Sequence, residues 1–143
     1  MSFCQVRDLS FAYDTHTILD GISFDLDRCE VIAFVGPSGC GKSTLLKCVA
    51  GLLRPQIGTV RIGDHQVTGP QTCSFMFQKP TLLPWLSVQE NLMLPFKLQS
   101  RPLRKQVVLD ALDEANIVKV ADSLPANLSG GEDQRVAFTR DLL

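Results

Sequence analysis

The spacing of apolar residues changes character along the chain. Near the amino end Ile22, Phe24 and Leu26 alternate with Ser23, Asp25 and Asp27, the two-residue repeat of a strand with one wet face. From Phe3 to about Ile62 this character prevails. Asp20-Gly21 reads as a turn, and Val60 and Ile62 resume the alternation before a second turn at Gly63-Asp64. These segments are expected to pair as antiparallel strands. Val31 to Val35 is different, because it is apolar at every position and so reads as a strand buried on both faces, with neighbours on either side. Cys73 to Phe77 reads as a second core strand that delivers Gln78 at its end.

Beyond Val35 the period lengthens. Thr44 to Leu53 places Leu45, Leu46, Val49, Leu52 and Leu53 at helical spacing, with stop signals at Gly51 and Pro55. Pro80, Pro84 and Pro95 break up the segment that follows. Ser87-Val88-Gln89-Glu90 has the form of a capping box that opens a short helix. A longer helix is expected over about Leu103 to Asn116, with Val107, Val108, Ala111, Leu112 and Ala115 inward and Arg104, Lys105, Asp110, Asp113 and Glu114 largely opposite. Strand, glycine-rich turn and helix in succession place the chain in the α/β class.

Composition narrows the picture. The 143 residues suffice for one domain with a real core, and the net charge of −1 gives no basic excess for nucleic acid, which is not an expected partner. The longest wholly apolar stretch, Val31 to Val35, is far short of the roughly 20 residues that cross a bilayer. Met1-Ser2-Phe3-Cys4-Gln5 lacks a basic flank followed by an apolar run, so a cytoplasmic location is expected. Cys4, Cys29, Cys40, Cys48 and Cys73 are odd in number and form no C-x-x-C pair, which points to reduced thiols. His16 and His65 stand apart in sequence and read as loop residues.

The chemistry concentrates in two places. Gly36-Pro37-Ser38-Gly39-Cys40-Gly41-Lys42-Ser43 fits G-x-x-x-x-G-K-[ST], between the apolar run and the first helix. Its glycines permit backbone conformations in which successive N–H groups face one anion, and the helix start adds partial positive charge. Lys42 is expected to reach the β- and γ-phosphates, Ser43 to ligate Mg²⁺ and Thr44 to donate to the α-phosphate. Cys40, beside a helix start, is either a small filler or a thiol whose alkylation competes with nucleotide. Further on, Leu128-Ser129-Gly130-Gly131-Glu132-Asp133-Gln134-Arg135 combines a capping box with two glycines at a second helix start, again suited to phosphate.

Taken together, these motifs resemble the ATP-binding subunit of an ABC transporter, with Gly36 to Thr44 as Walker A and Leu128 to Arg135 as the signature motif. The resemblance implies a P-loop NTPase core with an antiparallel β subdomain over residues 1–80 and a helical subdomain over 81–143, incomplete at the carboxyl end. It makes ATP and Mg²⁺ the cofactors. Tyr13 corresponds to the aromatic that stacks on adenine, and Gln78 to the glutamine that touches Mg²⁺ or the attacking water. Gly36, Ser38, Gly39, Cys40, Gly41, Lys42, Ser43 and Thr44 would surround the phosphates of one copy, while Ser129, Gly130 and Gly131 reach the nucleotide of a second, head-to-tail copy.

The implied partners are therefore a second ATP-binding subunit, transmembrane permease subunits and a solute-binding protein, on the inner face of the cell membrane. Thr81 to Leu92 is similar to importers of the nitrate, sulfonate and taurine group. No acidic residue here matches the Walker B aspartate or the glutamate that follows it, and the switch histidine is also unmatched. Asp133 and Asp141 depart from the family pattern, whereas Glu132 is an accepted variant. The expectation is a polypeptide that binds nucleotide, does not turn it over by itself and is unstable or aggregates; the alternative is a non-catalytic nucleotide-binding module. A DNA-repair relative is disfavoured, because the stretch from Gln78 to Ser129 is short and holds no heptad insertion.

Overall fold

A computed structural model of the chain describes residues 2–70, 73–99, 102 and 105–143. They form two compact units, Met1–Ser74 and Phe75–Leu143.

The first unit is built on a sheet of four strands: β1 (Cys4–Tyr13), β2 (His16–Leu26), β3 (Ile57–Ile62) and β4 (His65–Gln66). Their order is β2-β1-β3-β4 and every pairing is antiparallel, as the alternation implies. Asp20-Gly21 is not a turn between strands but lies inside β2, where Gly21 takes a φ of 60° beside a register shift. Gly63-Asp64 does turn the chain, from β3 into β4.

β1 changes phase part-way along, and this change builds the core. Cys4 and Val6 point inward from even positions, Leu9 and Phe11 from odd ones. The switch occurs at Asp8, whose φ of 47° inserts an extra residue: Arg7 pairs with Thr59 and Ser10 with Ile57, so two residues face Gly58 alone. The Ser23 hydroxyl accepts the exposed Asp8 N–H at 2.8 Å. Opposite the bulge Gly58 has a φ of 87°, and a Cβ there would overlap the carbonyl oxygens of Arg7 and Asp8. Both halves of β1 consequently face one cluster with Leu19, Val60, Leu45 and Cys48. The last two belong to α1 (Lys42–Val49), which ends at Ala50 before Gly51 at a φ of 73°.

Residues 31–35 do not form the expected buried strand. They pair with no other strand among the described residues, and Val31 and Val35 are 93% and 94% exposed. A two-sided strand needs a ladder on each edge and cover on each face, and the antiparallel sheet supplies neither. Phe34 alone is drawn in, its ring edge-on to Phe24 at 5.3 Å. The expected strand over Cys73 to Phe77 is likewise absent, and Phe75 and Phe77 contact each other edge to face at 4.9 Å.

The second unit is helical: α2 (Val88–Leu98), α3 (Lys105–Glu114) and α4 (Gly130–Leu142), with short 3-10 turns at Val118–Val120 and Pro125–Asn127. Ser87 and Glu90 cap α2 reciprocally. Pro95 does not interrupt this helix but sits inside it, near its carboxyl end. Only one internal amide is lost that way, and Leu92, Met93 and Phe96 still reach the core. In α3 the expected apolar face is inward, with Val108 and Leu112 fully buried. The expected first residues of that helix, Leu103 and Arg104, lie outside the described residues. Asn91 is completely buried and fully engaged: its Oδ1 accepts the Leu83 N–H, and its Nδ2 donates to the carbonyls of Leu83, Leu86 and Ser87.

The bulge makes a clear demand on Gly58. Gly58→Ala is expected to lower unfolding stability by about 1–3 kcal/mol through left-handed backbone strain alone, with steric overlap adding to it. Urea denaturation showing an unchanged midpoint would remove the bulge from this account of the core.

Candidate functional site

The two candidate phosphate-binding helix starts differ in how their amides are used. At α1 the N-cap is Gly41, at a φ of 95° and with no side-chain cap. Its hydrogen bonding begins with the Leu45 N–H on the Gly41 carbonyl at 2.8 Å, so the amides of Lys42, Ser43 and Thr44 precede the first helical bond. Gly41 is pressed against β2: a Cβ there would approach the side chains of Leu19 and Ile18 at 3.0 and 3.1 Å. Gly39, at a φ of 85°, faces open space instead. One glycine thus lets the loop lie close on the sheet, and the other leaves its outer side unobstructed.

Lys42 folds back over this loop. Its Nζ donates to the carbonyls of Gly36 at 2.8 Å and Pro37 at 2.7 Å, and lies 3.5 Å from Cys40 Sγ. No carboxylate among the described residues forms an ion pair with it. A cation held by two carbonyls and a thiol with no carboxylate partner, next to uncapped amides, is chemistry complementary to a polyphosphate. Ser43 is exposed and presents its hydroxyl at the same helix start. The thiols in this unit are not equivalent. Burial pushes Cys48 up to about 11, which keeps it protonated at neutral pH, whereas Cys40 is exposed in the loop.

Tyr13 also belongs to the first unit, at the end of β1, where its ring meets that of buried Phe11 edge to face at 4.9 Å and remains 48% exposed. Gln78, Ser129, Gly130 and Gly131 belong to the second unit. Gln78 is exposed in an irregular segment. Ser129 is the N-cap of α4, and its hydroxyl is engaged from both sides: Oγ accepts the Glu132 N–H at 3.4 Å and donates to Glu132 Oε2 at 2.6 Å. The Ser129 N–H donates to the same carboxylate oxygen at 2.8 Å. Those bonds, the hydroxyl's first, hold the Glu132 carboxyl below the usual carboxylate range. Gly130 and Gly131 have nothing within 4 Å of an added Cβ, so their side of the helix start is open.

Arg140 escaped sequence reasoning. Near the far end of α4 its guanidinium donates to the Thr81 carbonyl at 2.7 Å and the Thr81 hydroxyl at 2.8 Å, while Asp141 accepts at 3.2 Å. It therefore ties the helix capped by Ser129 to the residue three positions after Gln78. Partners 59 residues apart leave no local signal.

The ABC transporter family profile matches residues 19–143. The chain belongs to that family. It is 44% identical over 131 residues to the aliphatic sulfonates import ATP-binding protein SsuB 2 of Burkholderia lata, covering 91% of this chain and 47% of that protein. To the SsuB 1 protein of Pseudomonas syringae pv. syringae it is 40% identical over 141 residues, covering 99% of this chain and 56% of that protein. The chain thus spans about half the length of these curated relatives. Among solved structures it resembles an ATP-binding subunit of an ABC transporter, with a TM-score of 0.82, 27% identity and coverage of 97% of this chain and 61% of that one. It also resembles the dimeric, post-hydrolysis ATP-binding cassette MJ0796 bound to ADP and Pi, with a TM-score of 0.86, 27% identity and coverage of 97% and 68%. The fold is that of an ABC ATPase, as the resemblance implied.

The cap of α4 has a pH signature. Glu132 titrates below its ordinary value in the folded chain, so its capping contribution is complete above about pH 4.5 and is lost as pH falls through the lowered folded value. Thermal unfolding of Glu132→Ala should fall below wild type at pH 7, with the gap closing toward pH 3. A gap that stays constant over that range contradicts the reciprocal cap.

Proposed function

We propose that the chain is the phosphate-gripping part of an ATP-binding subunit that powers solute import, and that its ligand is Mg-ATP. The uncapped start of α1 under the Lys42 ammonium carries this reading, because amides and cation meet there with no internal anion among the described residues. An ion pair near 4 Å contributes about 4 kcal/mol at an effective dielectric near 20. Ser38, Gly39, Cys40 and Gly41 would wrap the phosphates with backbone N–H groups, and Lys42 would exchange its two carbonyl partners for β- and γ-oxygens. Thr44 would reach the α-phosphate.

Mg²⁺ suits this donor set. It keeps several waters and takes few protein oxygens, so the exposed Ser43 hydroxyl is a sufficient protein ligand beside the phosphates. Adenine would stack on Tyr13, while Ser129, Gly130 and Gly131 would address the nucleotide of a head-to-tail partner subunit. Permease subunits, a solute-binding protein and a place on the inner face of the cell membrane complete the assembly. Likeness to proteins named for aliphatic sulfonate import supports an organosulfonate as the solute.

Phosphoryl transfer needs metal charge, positioning and a group that orients water. The acidic residues that help hold the metal and that orient the water in this family have no match in these 143 positions, so these residues by themselves are assigned binding without turnover.

Calorimetry of the 143-residue chain with Mg-ATP tests the reading. Binding is expected, and Lys42→Ala should weaken it by up to about a thousandfold while the circular dichroism spectrum is retained. Binding that is absent from the wild type, or indifferent to Lys42→Ala, overturns it; steady phosphate release from the wild type that disappears in Lys42→Ala overturns the assignment of no turnover.

A further inference from the structure

On one edge, β1 runs out of backbone partner before it reaches Tyr13. On its β3 side the last paired residues are Ser10 and Ile57, and the Gln56 N–H still donates to the Ser10 carbonyl at 3.1 Å. Pro55 has no N–H to continue the ladder. Ala12, two residues beyond Ser10, presents its N–H and C=O to the same edge. Both are satisfied by a side chain. Gln56 Oε1 accepts the Ala12 N–H at 2.9 Å, and Gln56 Nε2 donates to the Ala12 carbonyl at 2.9 Å.

The primary amide of Gln56 therefore acts as one further strand residue, offering a donor and an acceptor in the arrangement a backbone would. On the opposite edge Ala12 pairs with Thr17 and Tyr13 with His16. Ala12 is thus held from both sides, and the next residue is the half-exposed tyrosine whose ring edge meets Phe11.

We propose that Gln56 is a positioning residue for the nucleobase: by closing the edge of β1 at Ala12 it presets the Tyr13 ring for stacking on adenine. The inference rests on the reading of Tyr13 given above and adds to it a residue 44 positions from Ala12 in sequence. A preset ring binds more tightly because less freedom is lost on association.

The test compares Mg-ATP with magnesium tripolyphosphate, which has the phosphates and no base, by calorimetry on the full chain. Gln56→Ala should weaken ATP binding roughly two- to tenfold, the span of one net hydrogen bond, and leave tripolyphosphate unchanged. Gln56→Met, which keeps the stem and loses the amide, should behave like Gln56→Ala. In a Tyr13→Ala background Gln56→Ala should have no further effect on ATP. Hydrogen exchange at the Ala12 amide should quicken in both Gln56 variants.

Unchanged ATP affinity in both variants overturns the positioning role and leaves the phosphate loop standing. Equal weakening of ATP and tripolyphosphate, or full additivity with Tyr13→Ala, makes Gln56 a general structural residue and also overturns it. A wild type that binds neither ligand overturns this inference and the phosphate-loop reading together.

Discussion

A helix cannot satisfy its own first amides, and the first unit is organised around leaving one such set free. α2 and α4 each close theirs with a serine and a glutamate in a reciprocal cap. α1 begins on a glycine that can close nothing. Packing of Gly41 on Ile18 and Leu19 fixes the loop to β2, and burial of Leu45 and Cys48 fixes the helix to the same sheet core. Lys42 then covers the loop on hydrogen bonds to carbonyls that phosphate oxygens can outcompete. The stable part of the unit holds an electrostatically incomplete part in place.

The second unit solves the opposite problem at the start of α4. There the Ser129 hydroxyl is bound to Glu132, so an incoming anion would compete with a carboxylate for the same proton. A carboxylate there would set one negative charge against another, so an anion contact at this helix start would depend more on the open side at Gly130 and Gly131. Asp133, which departs from the family pattern, lies in the first turn of the same helix with Oδ1 enclosed and without a hydrogen-bond partner. The partial positive charge of the helix start favours a carboxylate at that place.

Much of this was legible in the sequence because its causes are local. Two-residue alternation marked β2 and β3, the Ser87 and Ser129 boxes marked two helix starts, and glycine spacing marked the loop before α1. What escaped depends on distant partners. The phase change at Asp8 is visible only once Gly58 is known to lie opposite, and the roles of Gln56, Asn91 and Arg140 follow from the backbone groups they meet. Val31 to Val35 failed as a strand for the same reason: its composition describes the environment the segment is suited to, and no described residue supplies the two flanking ladders. Pro95 shows the converse, a strong local breaker overridden by the packing of Leu92, Met93 and Phe96.

The central claim is that backbone amides at the start of α1 are the anion-binding groups. Nitrogen-15 amide spectra of the chain, recorded while magnesium tripolyphosphate is added, address those atoms directly. The account predicts large, saturable shifts for Gly39, Gly41, Ser43 and Thr44, with the strands beyond the loop little moved. If those four amides stay in place while the ligand saturates elsewhere, or if nothing moves at all, the loop is only a turn between sheet and helix.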